Sequence, residues 1–169
     1  MSKEISVPPG VPLKEDDIES QKVLSVLYHP KAKYAWATGI AVGRFLKELK
    51  AGRIIGSSCD NCQRVVVPPR IYCEFCFRRL DDWVQLPDTG TVNTYSISYI
   101  STDTTRLKTP IIPAVIEIDG TTKAGFLHLI GETKSEDIKI GMRVKAVWKE
   151  PSQRHGAITD IRYFAPVAK

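Results

Sequence analysis

No run of apolar residues in this chain approaches the ~20 needed to cross a bilayer as a helix. The first thirty residues are polar and proline-bearing (Pro8, Pro9, Pro12) and contain no apolar core of a secretory signal. Those two absences predict a cytoplasmic protein without a membrane association. There is no internal repeat, no low-complexity tract, and no readable Ser-His-acid or paired-carboxylate pattern. The three histidines, His29, His128 and His155, are scattered, and a lone histidine is more often structural than catalytic. Cysteine is scarce as well: the 169 residues contain only four.

Those four are the most informative residues present. Cys59 and Cys62 form one Cys-x-x-Cys pair, and Cys73 and Cys76 form another ten residues further on. Two such turns deliver four soft thiolates to a tetrahedral Zn²⁺. Iron is the alternative occupant, since four thiolates also hold it in rubredoxins. A disulfide framework suits a secreted chain, which this is not expected to be. A thioredoxin-like redox site needs one pair beside a βαβ unit, which the sequence lacks. With all four thiolates committed, the predicted metal has no open position and is structural, and no cysteine remains to act as a nucleophile. Many zinc knuckles place glycine after the second cysteine of a pair; here Gln63 and Phe77 follow.

Charge is unevenly placed. The formal net charge is +5. Met1–Pro30 has a net charge of −2 and Lys31–Arg53 of +5, while Ile54–Pro87 is balanced and Asp88–Lys169 carries +2. A tetrathiolate zinc centre lowers the total to about +3. That is well short of the basic footprint of most duplex-DNA binders.

The pattern divides the chain into a tail and possible short helix (1–30), a helix (31–52), a metal module (53–87) and a β barrel (88–169). Within the first part, Lys14–Tyr28 is a possible helix. Lys31–Lys50 is the stronger one, with Val42, Phe45, Leu46 and Leu49 at i, i+3, i+4 and i+7 on one face, and Gly52 as its stop. That apolar face must pack on the protein's own barrel or on a partner. Trp36 and Trp148 are expected to be packing residues. Val65–Val67 is a short strand in the metal module. Five alternating segments follow: Thr91–Ile100, Pro113–Asp119, Thr122–Ile130, Arg143–Lys149 and Ala157–Phe164. Asp119-Gly120 is the expected hairpin turn, and Val144, Ala146 and Trp148 are expected to face inward. Five short strands with no helix between them predict a small Greek-key barrel of the OB type, and a mainly β protein overall.

Several local runs carry a family resemblance. They are Ala51-Gly52-Arg53-Ile54-Ile55-Gly56 leading into Cys59-Asp60-Asn61-Cys62, then Val67-Pro68-Pro69-Arg70, and Cys73-Glu74-Phe75-Cys76. Gly90-Thr91-Val92 and Ile140-Gly141-Met142-Arg143-Val144 continue the series. In this order they resemble the domain-of-unknown-function thirty-five family, proteins with a rubredoxin-like zinc ribbon followed by an OB-fold. The resemblance spans about Arg53–Phe164. It implies a non-catalytic companion of acyl-CoA enzymes, above all thiolase-like condensing enzymes such as acetoacetyl-CoA thiolase and hydroxymethylglutaryl-CoA synthase, with the barrel holding the CoA part of the thioester.

A CoA site needs cations for its phosphates beside an apolar slot. The loop Ser101–Pro110 offers Arg106 and Lys108, and the fourth barrel segment offers Arg143 and Lys145; each taken singly reads more simply as a solvated charge. The alternative function is single-stranded nucleic-acid binding, which OB barrels perform with aromatic platforms and basic grooves. Tyr95 and Tyr99 would be the stacking residues, or else core residues.

Overall fold

The computed structural model describes residues 10, 13–26, 35–80 and 82–167. They fall into two units, Met1–Trp36 and Ala37–Lys169. In the first, α1 (Glu15–Glu19) carries Glu15, Asp16 and Asp17 in its first turn, where the helix dipole favours negative charge. The helix expected over Lys14–Tyr28 is therefore one short piece. Its sequence, EDDIE, contains a single apolar residue, Ile18, which is itself exposed, so no apolar face exists to extend it. Leu27 and Tyr28 lie outside the described residues. Trp36 is 85% exposed.

The second unit opens with α2 (Gly39–Lys50). The helix expected from Lys31 starts eight residues later: residues 35–38 are not helical, and Gly39 has a φ of +69° that no right-handed helix continues through. Residues 31–34 lie outside the described set. The C-terminal end follows expectation. Gly52, at a φ of +75°, donates its N–H to the Leu49 carbonyl, and Arg53 donates to that of Glu48, both at 2.9 Å. This is the Schellman arrangement that satisfies the last carbonyls of a helix. The buried face is Ala41, Phe45 and Leu49, while Val42 turns outward.

A three-stranded antiparallel sheet follows: β1 (Ile54–Cys59), β2 (Arg64–Val66) and β3 (Asp82–Leu86), in the order β2-β1-β3. The central β1 is buried along nearly its whole length. Its Ser57 hydroxyl accepts the Arg70 backbone N–H at 3.0 Å, so the buried polar side chain is satisfied.

The remaining strands are β4 (Thr89–Tyr95), β5 (Ser98–Ile100), β6 (Arg106–Ile118), β7 (Gly125–Ile130), β8 (Arg143–Trp148) and β9 (Ile161–Pro166). Five of them close a ring, β4-β6-β7-β9-β8-β4, the predicted OB-type barrel. Every pairing in the ring is antiparallel except β7 with β9, which meet in parallel at one register pair, Ile130↔Phe164.

Strand limits depart from expectation in four places. The segment expected as one strand over Thr91–Ile100 divides into β4 and β5, with Ser96 and Ile97 in neither, and only β4 belongs to the ring. β6 begins at Arg106, inside the segment expected as a loop, and its outer half pairs with β5 outside the ring. The turn after β6 runs from Asp119 to Ala124, so β7 pairs from Gly125 and not from Thr122. Residues 158–160 form a 3₁₀ turn, so β9 starts at Ile161. Buried Asp160 holds that turn by accepting the backbone N–H groups of His155, Gly156 and Ala157.

One core serves helix, small sheet and barrel. Val92, Ile116, Ile118, Val144, Ile161 and Phe164 fill the barrel, and Ile54 and Leu86 of the small sheet join the same cluster, with Val67 just beyond β2. Phe45 of α2 meets Phe126 of β7 edge-on, with centroids 6.2 Å apart, and Leu49 is fully buried beside it. The helix therefore covers the protein's own barrel. Val144 and Ala146 point inward as expected, with Trp148 half-buried against the core. No helix among the described residues is long and apolar enough to cross a membrane.

Candidate functional site

The four cysteines come together at the far end of the small sheet. Cys59 closes β1, Cys62 lies in the turn leading into β2, and Cys73 and Cys76 form the second knuckle. All four Sγ atoms lie within 4.8 Å of one another, and Cys59 Sγ is 3.6 Å from Cys76 Sγ. A tetrahedron with Zn–S bonds of about 2.3 Å has an edge of about 3.8 Å, so the sulfurs fit that ion. All four thiols are free of disulfide bonds.

Local backbone geometry builds each knuckle. In the second, the Phe77 N–H donates to the Cys73 carbonyl and the Cys73 N–H to the Arg78 carbonyl, both at 2.9 Å. The residues that stand where many knuckles have glycine adopt glycine's conformation: φ is +51° at Gln63 and +57° at Phe77. A left-handed backbone at a residue with a Cβ costs on the order of 1 kcal/mol.

The electrostatics explain why the site favours a cation. The backbone N–H groups of Phe75 and Cys76 draw the Cys73 thiol down to about 6. The neighbouring Cys76 thiol, with burial, pushes Cys62 up to about 12. Four thiolates this close repel one another unless a positive ion sits among them. When bound, such an ion supplies cross-linking rather than chemistry, because four protein ligands leave no open position.

The residues expected to hold CoA are not brought together. Arg143 forms a two-pronged ion pair with Asp119, at 2.6 and 2.5 Å, and donates to the Thr91 hydroxyl at 2.9 Å. Arg143 in turn holds the Asp119 carboxyl below the usual carboxylate range, with a hydrogen bond from Thr89 assisting. Lys145 lies 4.0 Å from Asp88. Arg106 and Lys108 sit on the β5–β6 arm. Arg143 reaches Thr91, whose register partner on β6 is Glu117. Arg106 is thus eleven residues away along β6, up to about 36 Å of extended strand. The hydroxyl-rich turn before Arg106 is also occupied internally, since the Ser101 hydroxyl and the Thr105 N–H both bond to Asp103. Tyr95 packs on the core while Tyr99 stands exposed on β5.

A different surface has the chemistry expected of a ligand site. Because β7 and β9 pair at one position, they splay apart and leave a groove of about 480 Å³. Pro113, Leu127, Leu129 and Ile158 line it, with Lys149 and Arg162 also on its wall. His128 bridges the open seam: its Nδ1 accepts the Leu129 N–H at 2.9 Å, so the neutral ring's proton is on Nε2, which lies 3.2 Å from the Ile158 carbonyl. The one sequence signal for this groove is Phe126-Leu127-His128-Leu129-Ile130, apolar on both faces where a half-solvated strand would alternate.

A zinc ribbon continuous with an OB barrel defines the class of protein. Residues 46–82 match the rubredoxin-like zinc ribbon domain of ChsH2, and residues 83–149 match its C-terminal OB-fold domain. A DUF35 domain-containing scaffold protein of Methanocaldococcus jannaschii is 32% identical over 117 residues, spanning 68% of this chain and 82% of that protein. A crystal structure from Sulfolobus solfataricus, of a DUF35-family protein with unknown function, is 30% identical. It superposes with a TM-score of 0.53 over 62% of this chain and 75% of that one. A structure described as the Ltp2-ChsH2(DUF35) aldolase shares the fold, with a TM-score of 0.57 at 20% identity over 78% of this chain and 98% of that one. The chain belongs to the DUF35 family.

Proposed function

We propose that this chain is a non-catalytic accessory subunit. It docks on a thiolase-like condensing enzyme, of the acetoacetyl-CoA thiolase or hydroxymethylglutaryl-CoA synthase kind, and its barrel holds the CoA moiety of the acyl-CoA. The observation that carries the scaffold reading is the relative named a scaffold protein, which this chain matches over most of both lengths. The thiol geometry supports it: Cys59, Cys62, Cys73 and Cys76 are the proposed zinc ligands, so the side chains best suited to acyl transfer are tied to a structural ion.

For the CoA moiety, the groove over β7 and β9 is a better candidate than the residues expected from sequence. Its apolar floor suits the pantetheine arm, and Lys149 and Arg162 suit phosphate. Arg143 already has its carboxylate, and Arg106 lies on the β5–β6 arm, outside the ring. The test is calorimetric titration of the zinc-loaded protein with CoA. We expect binding that Lys149→Ala and Arg162→Ala each weaken about tenfold, as loss of a charge-assisted hydrogen bond would. Binding insensitive to both changes would place the ligand elsewhere. Salt-sensitive binding of single-stranded oligonucleotides in place of CoA would favour the nucleic-acid reading.

A further inference from the structure

The second knuckle presents an unusual surface. Within six residues it exposes three aromatic rings: Tyr72 at 58%, Phe75 at 61% and Phe77 at 79%. Monomeric proteins expose single apolar side chains freely, but a cluster of rings on one rigid loop marks an interaction site. Phe77 is also the residue held at a φ of +57°, where glycine would sit without strain. A large ring kept in solvent at a backbone position that disfavours any side chain contributes nothing to the fold's own core, which points to a role outside it.

Composition indicates what covers these rings. Arg64 and Arg70 stand beside the knuckle and share Glu74, which Arg64 approaches to 3.4 Å and Arg70 pairs with directly, while Arg78 lines a shallow pocket with Asp60 and Asp82. Aromatic side chains framed by arginine are the composition enriched at the centre of protein interfaces. A base-stacking platform needs open ring faces. Here the Arg64 guanidinium already lies 4.1 Å over the Phe75 ring.

We propose that this knuckle is the docking face for the partner enzyme, with Tyr72, Phe75 and Phe77 entering an apolar recess of that enzyme. The proposal rests on the accessory-subunit reading and adds to it which surface makes the contact.

Phe77→Gly is the sharpest probe, because it deletes the ring while supplying the residue that the backbone angle favours. The zinc-loaded full-length chain is titrated with a purified thiolase from the same organism. We expect Phe77→Gly to weaken binding about thirtyfold, as for an interface hot spot. The Tyr72→Ser/Phe75→Ser pair should weaken it at least as much, and all variants should retain wild-type zinc content. Ile140→Ser, at an apolar residue 68% exposed elsewhere on the barrel, should bind as wild type. Wild-type binding that survives both knuckle variants would overturn this inference and leave the accessory reading standing. A wild-type chain that binds no thiolase would overturn both. Oligonucleotide binding that disappears with Phe77→Gly would reassign the knuckle to nucleic acid and overturn the protein-docking proposal.

Discussion

Replacing Phe45 by alanine tests whether α2 is part of the barrel's own core. The Phe45 side chain is 3% exposed, with buried Ala41 and Leu49 one turn away on either side along the helix. Its ring meets Phe126 edge-on at 6.2 Å, and Phe126 meets Phe164 in the same manner at 6.1 Å. Truncation removes the buried ring, leaves a cavity between helix and barrel, and deletes one aromatic pair. Phe→Ala changes at such sites cost about 3–5 kcal/mol, of which the edge-to-face contact accounts for about 1. We take about 4 kcal/mol, a large part of the ~5–15 kcal/mol that stabilises an ordinary domain. For a chain of this size each kcal/mol lowers the melting temperature by roughly 2–4 °C, so a fall of about 12 °C is expected. Urea titration of the zinc-loaded protein, followed by far-ultraviolet circular dichroism, should show the midpoint about 2 M lower with an unchanged slope. Val42→Ala, on the outward side of the same helix, should stay within about 0.5 kcal/mol of wild type. A loss below about 1 kcal/mol at Phe45, or an equal loss at Val42, would refute the packing described here.

Three further outcomes are expected. Elemental analysis should find about one zinc per chain, and Cys73→Ser should abolish it and unfold the ribbon, because metal binding contributes on the order of 10 kcal/mol to such modules; free titration of all four thiols without a chelator would contradict this. Asp160→Ala strands the N–H groups of His155, Gly156 and Ala157 and should cost about 3 kcal/mol in chemical denaturation, and a cost under about 1 would show that the turn does not depend on the carboxylate. Although burial alone would raise it, the Asp160 carboxyl is held below its ordinary value by those three donors, so its contribution is complete above the ordinary carboxylate value of about 4 and is lost as pH falls below it; acid titration of stability should be flatter in the variant. Arg143→Ala should leave CoA affinity unchanged and cost at most about 1 kcal/mol, since its pair with Asp119 is half exposed.

Features that depend on residues near in sequence were legible in the chain. The metal site follows from two Cys-x-x-Cys turns, and the C-terminal end of α2 follows from Gly52. The inward face of β8 follows from alternation, because side chains on a strand alternate whatever the strand pairs with. Features set by distant partners were not legible. Nothing local in Arg143-Val144-Lys145 shows that Asp119, 24 residues earlier, will neutralise the arginine. The Ser101–Pro110 segment has loop-like composition, yet its second half becomes strand because β5 lies beside it. The outward turn of Val42 depends on how α2 sits on the barrel, and four apolar residues at helical spacing do not contain that rotation. The groove exists because β7 and β9 meet at one pair, a property of ring closure rather than of either strand.

The central claim, that this DUF35 protein acts as a zinc-stabilised adaptor for an acyl-CoA condensing enzyme, is tested most directly by coexpression with the organism's thiolases followed by size-exclusion chromatography. The account predicts comigration with one of them in a zinc-containing complex, with no condensation or thiolysis of acyl-CoA by this chain alone. Absence of comigration with every thiolase, together with salt-sensitive binding to single-stranded oligonucleotides, would contradict it.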